Sequence, residues 1–228
     1  MDKYSLYVPN FLPKQELPPL QKGNACPGCG VSLALRHIAK AADGLLEKAV
    51  CERANGSKPF GCTTGVAFVK IKQGKKEIVV CLDDETGGGL DQAVRKPMPE
   101  VAVAEGFTYV ATASPSYPFD LYDKVNRAVE SPGNAYLHIL CPSPVSWQFE
   151  NEDTVKMGFW AVESNAFPLY EVAGGYYNMT VKILKPRPLA DYIKAQGRFA
   201  EVSEKEFKSA EAAVAKAYKK LLENIEPA

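Results

Sequence analysis

Two cysteines three positions apart, in Ala25-Cys26-Pro27-Gly28-Cys29-Gly30, can grip one metal ion or cluster. The Pro-Gly turn between them aims backbone N–H groups at the sulfurs. The run that follows, Val31-Ser32-Leu33-Ala34-Leu35-Arg36-His37-Ile38-Ala39, reads as a helix whose N-terminus adds positive potential behind the thiolates. Four further cysteines stand at 51, 62, 81 and 141. Cys81 lies in the β-branched run Glu77-Ile78-Val79-Val80-Cys81-Leu82, where a lone Cys acts as a small hydrophobe, and it is assigned to the core. Cys51 and Cys62 lie in polar, glycine-containing sequence, and Cys141 ends another apolar run; these three are ligand candidates. A C-x-x-C pair also suits zinc or a thioredoxin-like redox pair. A zinc ribbon needs a second close pair, which is absent, and a thioredoxin motif follows a strand, which Leu20-Gln21-Lys22-Gly23-Asn24 does not form. Four well-separated thiols favour a cluster assembled by the tertiary fold.

A second candidate is Asp83-Asp84-Glu85-Thr86-Gly87-Gly88-Gly89, three carboxylates followed by glycines. By residue type these are oxygen donors of the kind hard cations take. The plain alternative is a solvated acidic turn. With two histidines in the chain, no Ser/His/Asp or Cys/His nucleophile constellation emerges. His37 reads as structural or surface, and His138, inside an apolar strand, as a satisfied core histidine. Trp147 and Trp160 read as packing residues, although Trp147-Gln148-Phe149 could screen a cluster from water.

The elements that must position these groups come next. At 228 residues the chain can bury a substantial core without staples, and 27 basic against 27 acidic residues give no electrostatic case for nucleic acid. No stretch approaches a membrane span. Met1-Asp2-Lys3-Tyr4-Ser5-Leu6-Tyr7 lacks the charged start and apolar run of a secretion signal, so a cytoplasmic chain is expected. Residues 1–25, with four prolines, predict an extended arm; residues 26–200 form a single α/β domain, and 201–228 a C-terminal helix. The helix over 31–42 turns Leu35, Ile38, Ala39 and Ala42 to one face. Residues 43–76 are poorly patterned. From 77 onward, strand 77–82, a helix over 97–105, strand 107–113, a helix over 118–130 with Leu121, Val125, Ala128 and Val129 inward, and strand 135–140 predict a parallel sheet. Ligands gather at the carboxyl ends of such strands, where Asp83-Asp84-Glu85, Ser114-Pro115-Ser116 and Cys141 fall. Ser203-Glu204-Lys205-Glu206 is a capping box opening the last helix.

These residues resemble a known family, the β subunits of 2-oxoacid:ferredoxin oxidoreductases of the pyruvate (pyruvate synthase) type. The matching segments are Ala25 to Gly30, Tyr109-Val110-Ala111-Thr112-Ala113-Ser114, and Tyr136-Leu137-His138-Ile139-Leu140-Cys141-Pro142-Ser143-Pro144 ahead of Trp147. Ala161-Val162-Glu163, Pro168-Leu169-Tyr170-Glu171, Lys185-Pro186-Arg187-Pro188 ahead of Asp191-Tyr192, and Gln196-Gly197-Arg198-Phe199 follow in the family's order. The resemblance implies a thiamine-diphosphate-binding α/β domain, Mg²⁺ on the diphosphate, and a [4Fe–4S] cluster. It also implies companion subunits, ferredoxin as electron acceptor, and a 2-oxoacid and coenzyme A as substrates.

The family carries two diphosphate loops, a Gly-Asp-Gly-Gly type after one strand and an Asp-Asn-Glu type after the next. Here one remains: Asp83 to Gly89 resembles the second, with Asp84 metal-proximal, while an alternative register makes Asp83 or Asp84 the aspartate of the first; in either register a strand-helix unit is expected to be missing from a compacted core. Asp83, Asp84, Glu85 and Gly87 are thereby expected near Mg²⁺ and diphosphate. Cys26, Cys29, Cys62 and Cys141 are expected on iron, with Cys51 as the alternative to Cys62. The family's fourth cysteine falls at the position of Ser143, so Cys141 is a displaced ligand. Lys185 to Pro188 reads as an extended tie to another subunit or as a solvated linker. The functional expectation is thiamine-dependent oxidative decarboxylation with electron transfer through the cluster. The alternative is a shortened homologue that keeps an electron-transfer or scaffold role.

Overall fold

The computed structural model describes residues 27–42, 50–53, 66–85, 90 and 98–225. Cys26, Cys62, Gly87 and the expected N-terminal arm lie outside the described residues. In chain order the elements are α1 (Gly30–Ala41), β1 (Val50–Arg53), β2 (Val66–Gln73), β3 (Lys76–Asp83), α2 (Met98–Ala104), β4 (Tyr109–Ala113), α3 (Pro118–Glu130) and β5 (Ala135–Leu140). They continue as α4 (Pro144–Trp147), α5 (Thr154–Glu163), β6 (Tyr170–Ala173), β7 (Tyr176–Met179), α6 (Leu189–Lys194) and α7 (Glu204–Ile225).

The described strands form one sheet in the order β1-β2-β3-β5-β4-β6-β7. The α/β class and the parallel core are as expected, but the parallel part is the trio β3-β5-β4. On both sides the sheet is extended by antiparallel hairpins, β1 and β2 against β3, and β6 and β7 against β4. The poorly patterned stretch 43–76 therefore holds two strands. The outer neighbour of β3 is antiparallel β2, paired with it from Val66↔Asp83 to Gln73↔Lys76.

Alternation along the strands sends side chains to two helical layers, as a sheet buried on both faces requires. Ile78, Val80 and Leu82 of β3 and Leu137, Ile139 and Cys141 of the β5 segment join Leu35 and Ile38 of α1 and Leu121, Val125 and Ala128 of α3. Cys81, Val110 and Tyr136 face the other way, toward Ala102 of α2 and Leu221 of α7. A third cluster, with Leu140, Trp147, Met157, Tyr192, Phe199 and Val214, closes the carboxyl end of β5. Cys81 is core, 1 % exposed.

Local signals hold where they are strong. Ser203 and Glu206 close the capping box of α7 in both directions: the Ser203 N–H donates to Glu206 Oε2 at 2.9 Å and the Glu206 N–H to Ser203 Oγ at 3.3 Å. On α3 the apolar stripe is buried as predicted, and it carries a charge the pattern does not announce. Lys124 is buried, its Nζ donating to the Thr112 carbonyl (2.8 Å), Asp120 Oδ2 (2.7 Å) and Thr180 Oγ1 (2.7 Å). All three ammonium protons are thereby matched, which is what allows a lysine inside. Arg187, expected in an inter-subunit tie or a linker, docks on its own chain: its Nε bonds Glu163 Oε2 at 2.9 Å and its guanidinium lies 4.5 Å from the Trp160 ring centre.

Candidate functional site

Asp83 ends β3, and the loop it opens is buried: Asp83 is 1 %, Asp84 2 % and Glu85 7 % exposed. That excludes the solvated turn. Buried polar groups need partners, and β5, α4 and the 196–199 turn provide them alongside the loop's own backbone. His138 Nε2 lies 3.2 Å from Asp83 Oδ2, while His138 Nδ1 meets the Tyr136 hydroxyl at 3.0 Å. An Nε2–H tautomer donating to the carboxylate and accepting from the phenol satisfies all three groups. Asp83 Oδ1 accepts the Glu85 N–H at 2.8 Å. Trp147 Nε1 donates to the Asp84 carbonyl at 2.6 Å. Arg198 donates to the Glu85 carbonyl at 2.7 Å and to Glu85 Oε2 at 3.1 Å. His138 is thus the satisfied core histidine expected. Trp147, fully buried, packs and pins the acidic loop.

Beside this loop the two described cysteines of the expected ligand set converge. The Cys141 N–H donates to the Asp83 carbonyl at 2.7 Å, continuing the β3–β5 ladder, and the Gly30 N–H donates to the Pro142 carbonyl at 3.1 Å. The start of α1 therefore sits on the end of β5. The approach is close enough that a Cβ on Gly30 would lie 2.4 Å from the Pro142 oxygen. The preceding turn is held from its other side, Thr154 Oγ1 donating to the Gly28 carbonyl at 2.6 Å. Gly28 has φ +70°, and a Cβ there would meet the Asn151 oxygen at 2.4 Å. Both glycines of Pro27-Gly28-Cys29-Gly30 are required by packing.

Cys29 is half-buried and Cys141 fully buried, its Sγ 3.5 Å from the Ile139 carbonyl. Burial first, and then the charges of Asp83 and Asp84, push the Cys141 thiol well up. Ser143, where the resemblance puts the fourth cysteine, caps α4 instead, its Oγ accepting the Ser146 N–H at 3.4 Å.

Cys51 sits in β1 opposite Val69, which pairs with Val80; Val80 in turn pairs with Leu137. Strand spacing and rise put its backbone about 20 Å from that of Cys141, farther than two ligands of one cluster span. Cys62 precedes Val66 by four positions, and Val66 pairs with Asp83. Among the described residues no group of three or more His, Cys, Asp or Glu side chains converges as a metal site.

The donor chemistry tests the expected cofactors residue by residue. Cys29 and Cys141 fit as two thiol ligands of a cluster at one corner. Of the three carboxylates, Asp83 is held by His138 and by the Glu85 N–H, and Glu85 by Arg198, so these two shape the loop.

Among the described residues, one cavity borders the acidic loop and another lies apart from it. One of about 120 Å³ under α7 is lined by Glu85, Thr112, His138, Phe167, Tyr170 and Tyr218. A larger cleft of about 620 Å³ lies between α3 and the β6–β7 hairpin, away from the cysteines, lined by Asp120, Asp123, Arg127, Glu171 and Asn178. In it Arg127 and Asn178 bind Glu171, which also accepts from the Tyr109 hydroxyl. The holding roles of Trp147 and Arg198 were not read from the sequence; the signal was the Gln196-Gly197-Arg198-Phe199 segment.

No family model matches the chain. Among curated proteins it is similar to pyruvate synthase subunit PorB of Methanothermobacter thermautotrophicus, 39 % identical over 112 residues, which is 49 % of this chain and 39 % of the relative. The Thermotoga maritima PorB is 36 % identical over 109 residues, covering 48 % and 34 %. Ketoisovalerate oxidoreductase subunit VorB of Pyrococcus abyssi is 32 % identical over 112 residues, covering 48 % and 36 %. The matched stretch spans less than two fifths of each of these relatives. Over about half its length, then, the chain resembles the B subunits of 2-oxoacid oxidoreductases, of the pyruvate synthase and ketoisovalerate kinds.

Proposed function

We propose that the chain acts as the β-type subunit of a 2-oxoacid:ferredoxin oxidoreductase, with pyruvate as the favoured substrate and coenzyme A as acyl acceptor. The observation that carries this reading is the convergence of Cys29-Gly30 and Cys141-Pro142 at the end of β5, against the pinned Asp83-Asp84-Glu85 loop at the end of β3. Thiamine diphosphate supplies carbanion chemistry at the 2-oxo carbon when bound, and a [4Fe–4S] cluster accepts electrons one at a time.

The chain's own residues would divide the work. Asp84 holds Mg²⁺ on the diphosphate, while Asp83 and Glu85 fix the loop through His138 and Arg198. Cys26, Cys29, Cys62 and Cys141 hold iron; the backbone position of Cys51 argues for Cys62 as the third ligand. The start of α1 brings positive potential to the thiolates. Burial of Cys141 under α1 excludes water from that corner. Companion subunits and ferredoxin are the partners this reading implies. No helix among the described residues is long and apolar enough to cross a membrane, in keeping with the proposed place in the cytoplasm.

A second reading, an electron-transfer or scaffold subunit that binds no thiamine, is favoured by one feature. The outer neighbour of β3 is antiparallel β2, which cannot bring a second strand-end loop to the diphosphate as a parallel strand would. Calorimetric titration of the chain, assembled with its cognate subunits, with thiamine diphosphate and Mg²⁺ decides between them. Saturable binding abolished by Asp84→Ala supports the first reading. A folded, iron-bearing assembly that binds none supports the second.

A further inference from the structure

The geometry points to Arg198 as a positioning residue: the Gln196-Gly197-Arg198-Phe199 turn is a latch that holds the Asp83-Asp84-Glu85 loop in shape. This deepens the thiamine reading and rests on it for its functional meaning. The loop itself is in a conformation a side-chain-bearing residue disfavours, since Glu85 has φ +50°. Inside the loop Asp83 Oδ1 accepts the Glu85 N–H; a second hold comes from outside it. Arg198 grips Glu85 by both its carbonyl and its carboxylate from 113 positions away, a two-point contact that the planar guanidinium makes and an ammonium does not.

The guanidinium is in turn fixed on every side. Gln196 Oε1 accepts from Nε and Nη2 at 2.9 and 2.7 Å. The rings of Trp147 and Phe199 lie 4.3 and 4.5 Å from its central carbon. Trp147 carries the contact on to the Asp84 carbonyl. The turn also seats a second left-handed residue, Gln148 at φ +58°, whose carbonyl accepts the Gly197 N–H at 3.1 Å. A side chain at 197 would strike Gln148, with a Cβ 2.8 Å from its Cβ. One turn therefore holds both the acidic loop and the end of α4.

The test is hydrogen–deuterium exchange on the full chain without cofactor, followed over the peptide spanning Leu82 to Glu85. In Arg198→Ala that segment should exchange about ten- to a hundredfold faster, the range a lost charge-assisted contact implies, while β4 and α3 keep their protection. Arg187→Ala, which removes an arginine stacked on Trp160, should leave the segment unchanged. Arg198→Lys should give a smaller increase at the same place, and it carries the test if the alanine variant fails to fold. Unchanged exchange in the folded arginine variants, or an equal rise across the whole sheet, overturns the latch.

Its functional consequence is read in the assembled complex by thiamine diphosphate and Mg²⁺ titration. Arg198→Ala should weaken binding more than Ile139→Val does in a variant pair matched for melting temperature. Equal weakening would reduce Arg198 to general stability and overturn the positioning role. If the wild-type assembly takes up no thiamine diphosphate while the exchange pattern holds, the thiamine reading falls and the latch stands.

Discussion

The acidic loop and the thiol corner share the carboxyl end of the parallel strands, yet they are built on opposite principles. Every buried charge in the loop that the structure shows paired is matched from within the chain: Asp83 by His138, Glu85 by Arg198. The corner is held mainly through main-chain groups, Gly30 N–H to Pro142, Cys141 N–H to Asp83 and the Gly28 carbonyl to Thr154 Oγ1, and its buried thiol faces carboxylates that oppose its ionisation. A loop of the first kind is preformed. A corner of the second kind favours neutral thiols until a cation arrives, because a buried thiolate beside Asp83 and Asp84 needs positive charge to offset it. On the proposed reading, metal uptake there would be coupled to proton release.

The largest expected effect breaks the loop side. Trp147→Ala removes a fully buried indole and the donor to Asp84, and should cost about 3–5 kcal/mol in urea unfolding. Trp147→Phe, which leaves the Asp84 carbonyl without that donor, should cost about 1–3 kcal/mol. On the corner side, Gly30→Ala forces Pro142 away from α1 and should cost about 1–3 kcal/mol by the same measurement, with loss of thiol convergence.

The pH response sharpens the contrast further. The folded Cys141 thiol titrates above its unfolded value, so its contribution to stability is complete below about pH 8.5 and is lost as pH rises beyond it. The apo chain should lose melting temperature through that window, and Cys141→Ser should flatten the slope there; equal slopes would contradict the burial argument. Smallest is Ser143→Ala, which uncaps the four-residue α4 and should cost about 0.5–1 kcal/mol, with the acidic loop unaffected in exchange experiments.

Much of the fold was legible because its signals are local. The apolar stripes of α1, α3 and α7, the capping box at Ser203 and the strand runs at 77–82 and 135–140 each carry their own period. Strand direction was not legible, since an apolar run reads the same in a parallel or an antiparallel ladder, and β1 and β2 passed for unpatterned sequence. The β6–β7 hairpin was signalled only by Gly174-Gly175, both left-handed, as a tight turn requires.

In the site, residue types were readable and their roles were not. Asp83, Asp84 and Glu85 looked alike as oxygen donors, and the partners that fix two of them, His138 for Asp83 and Arg198 for Glu85, lie 55 and 113 positions away, beyond any local pattern. Lys124 was hidden for the same reason, since its acceptors at Thr112 and Thr180 lie on other elements. The displaced cysteine was visible in sequence, whereas its full burial under α1 depends on Gly30 docking at Pro142.

The most direct measurement of the central claim is anaerobic reconstitution of the full chain with iron and sulfide, with visible absorption and iron content read for the wild type, Cys141→Ser and Cys81→Ser. Wild type and Cys81→Ser should both take up about four iron atoms per chain with iron–sulfur charge-transfer bands, and Cys141→Ser should lose most of both. A colourless wild type, or a Cys141→Ser variant that loads like the wild type, would contradict the assignment of the thiol corner as a cluster site.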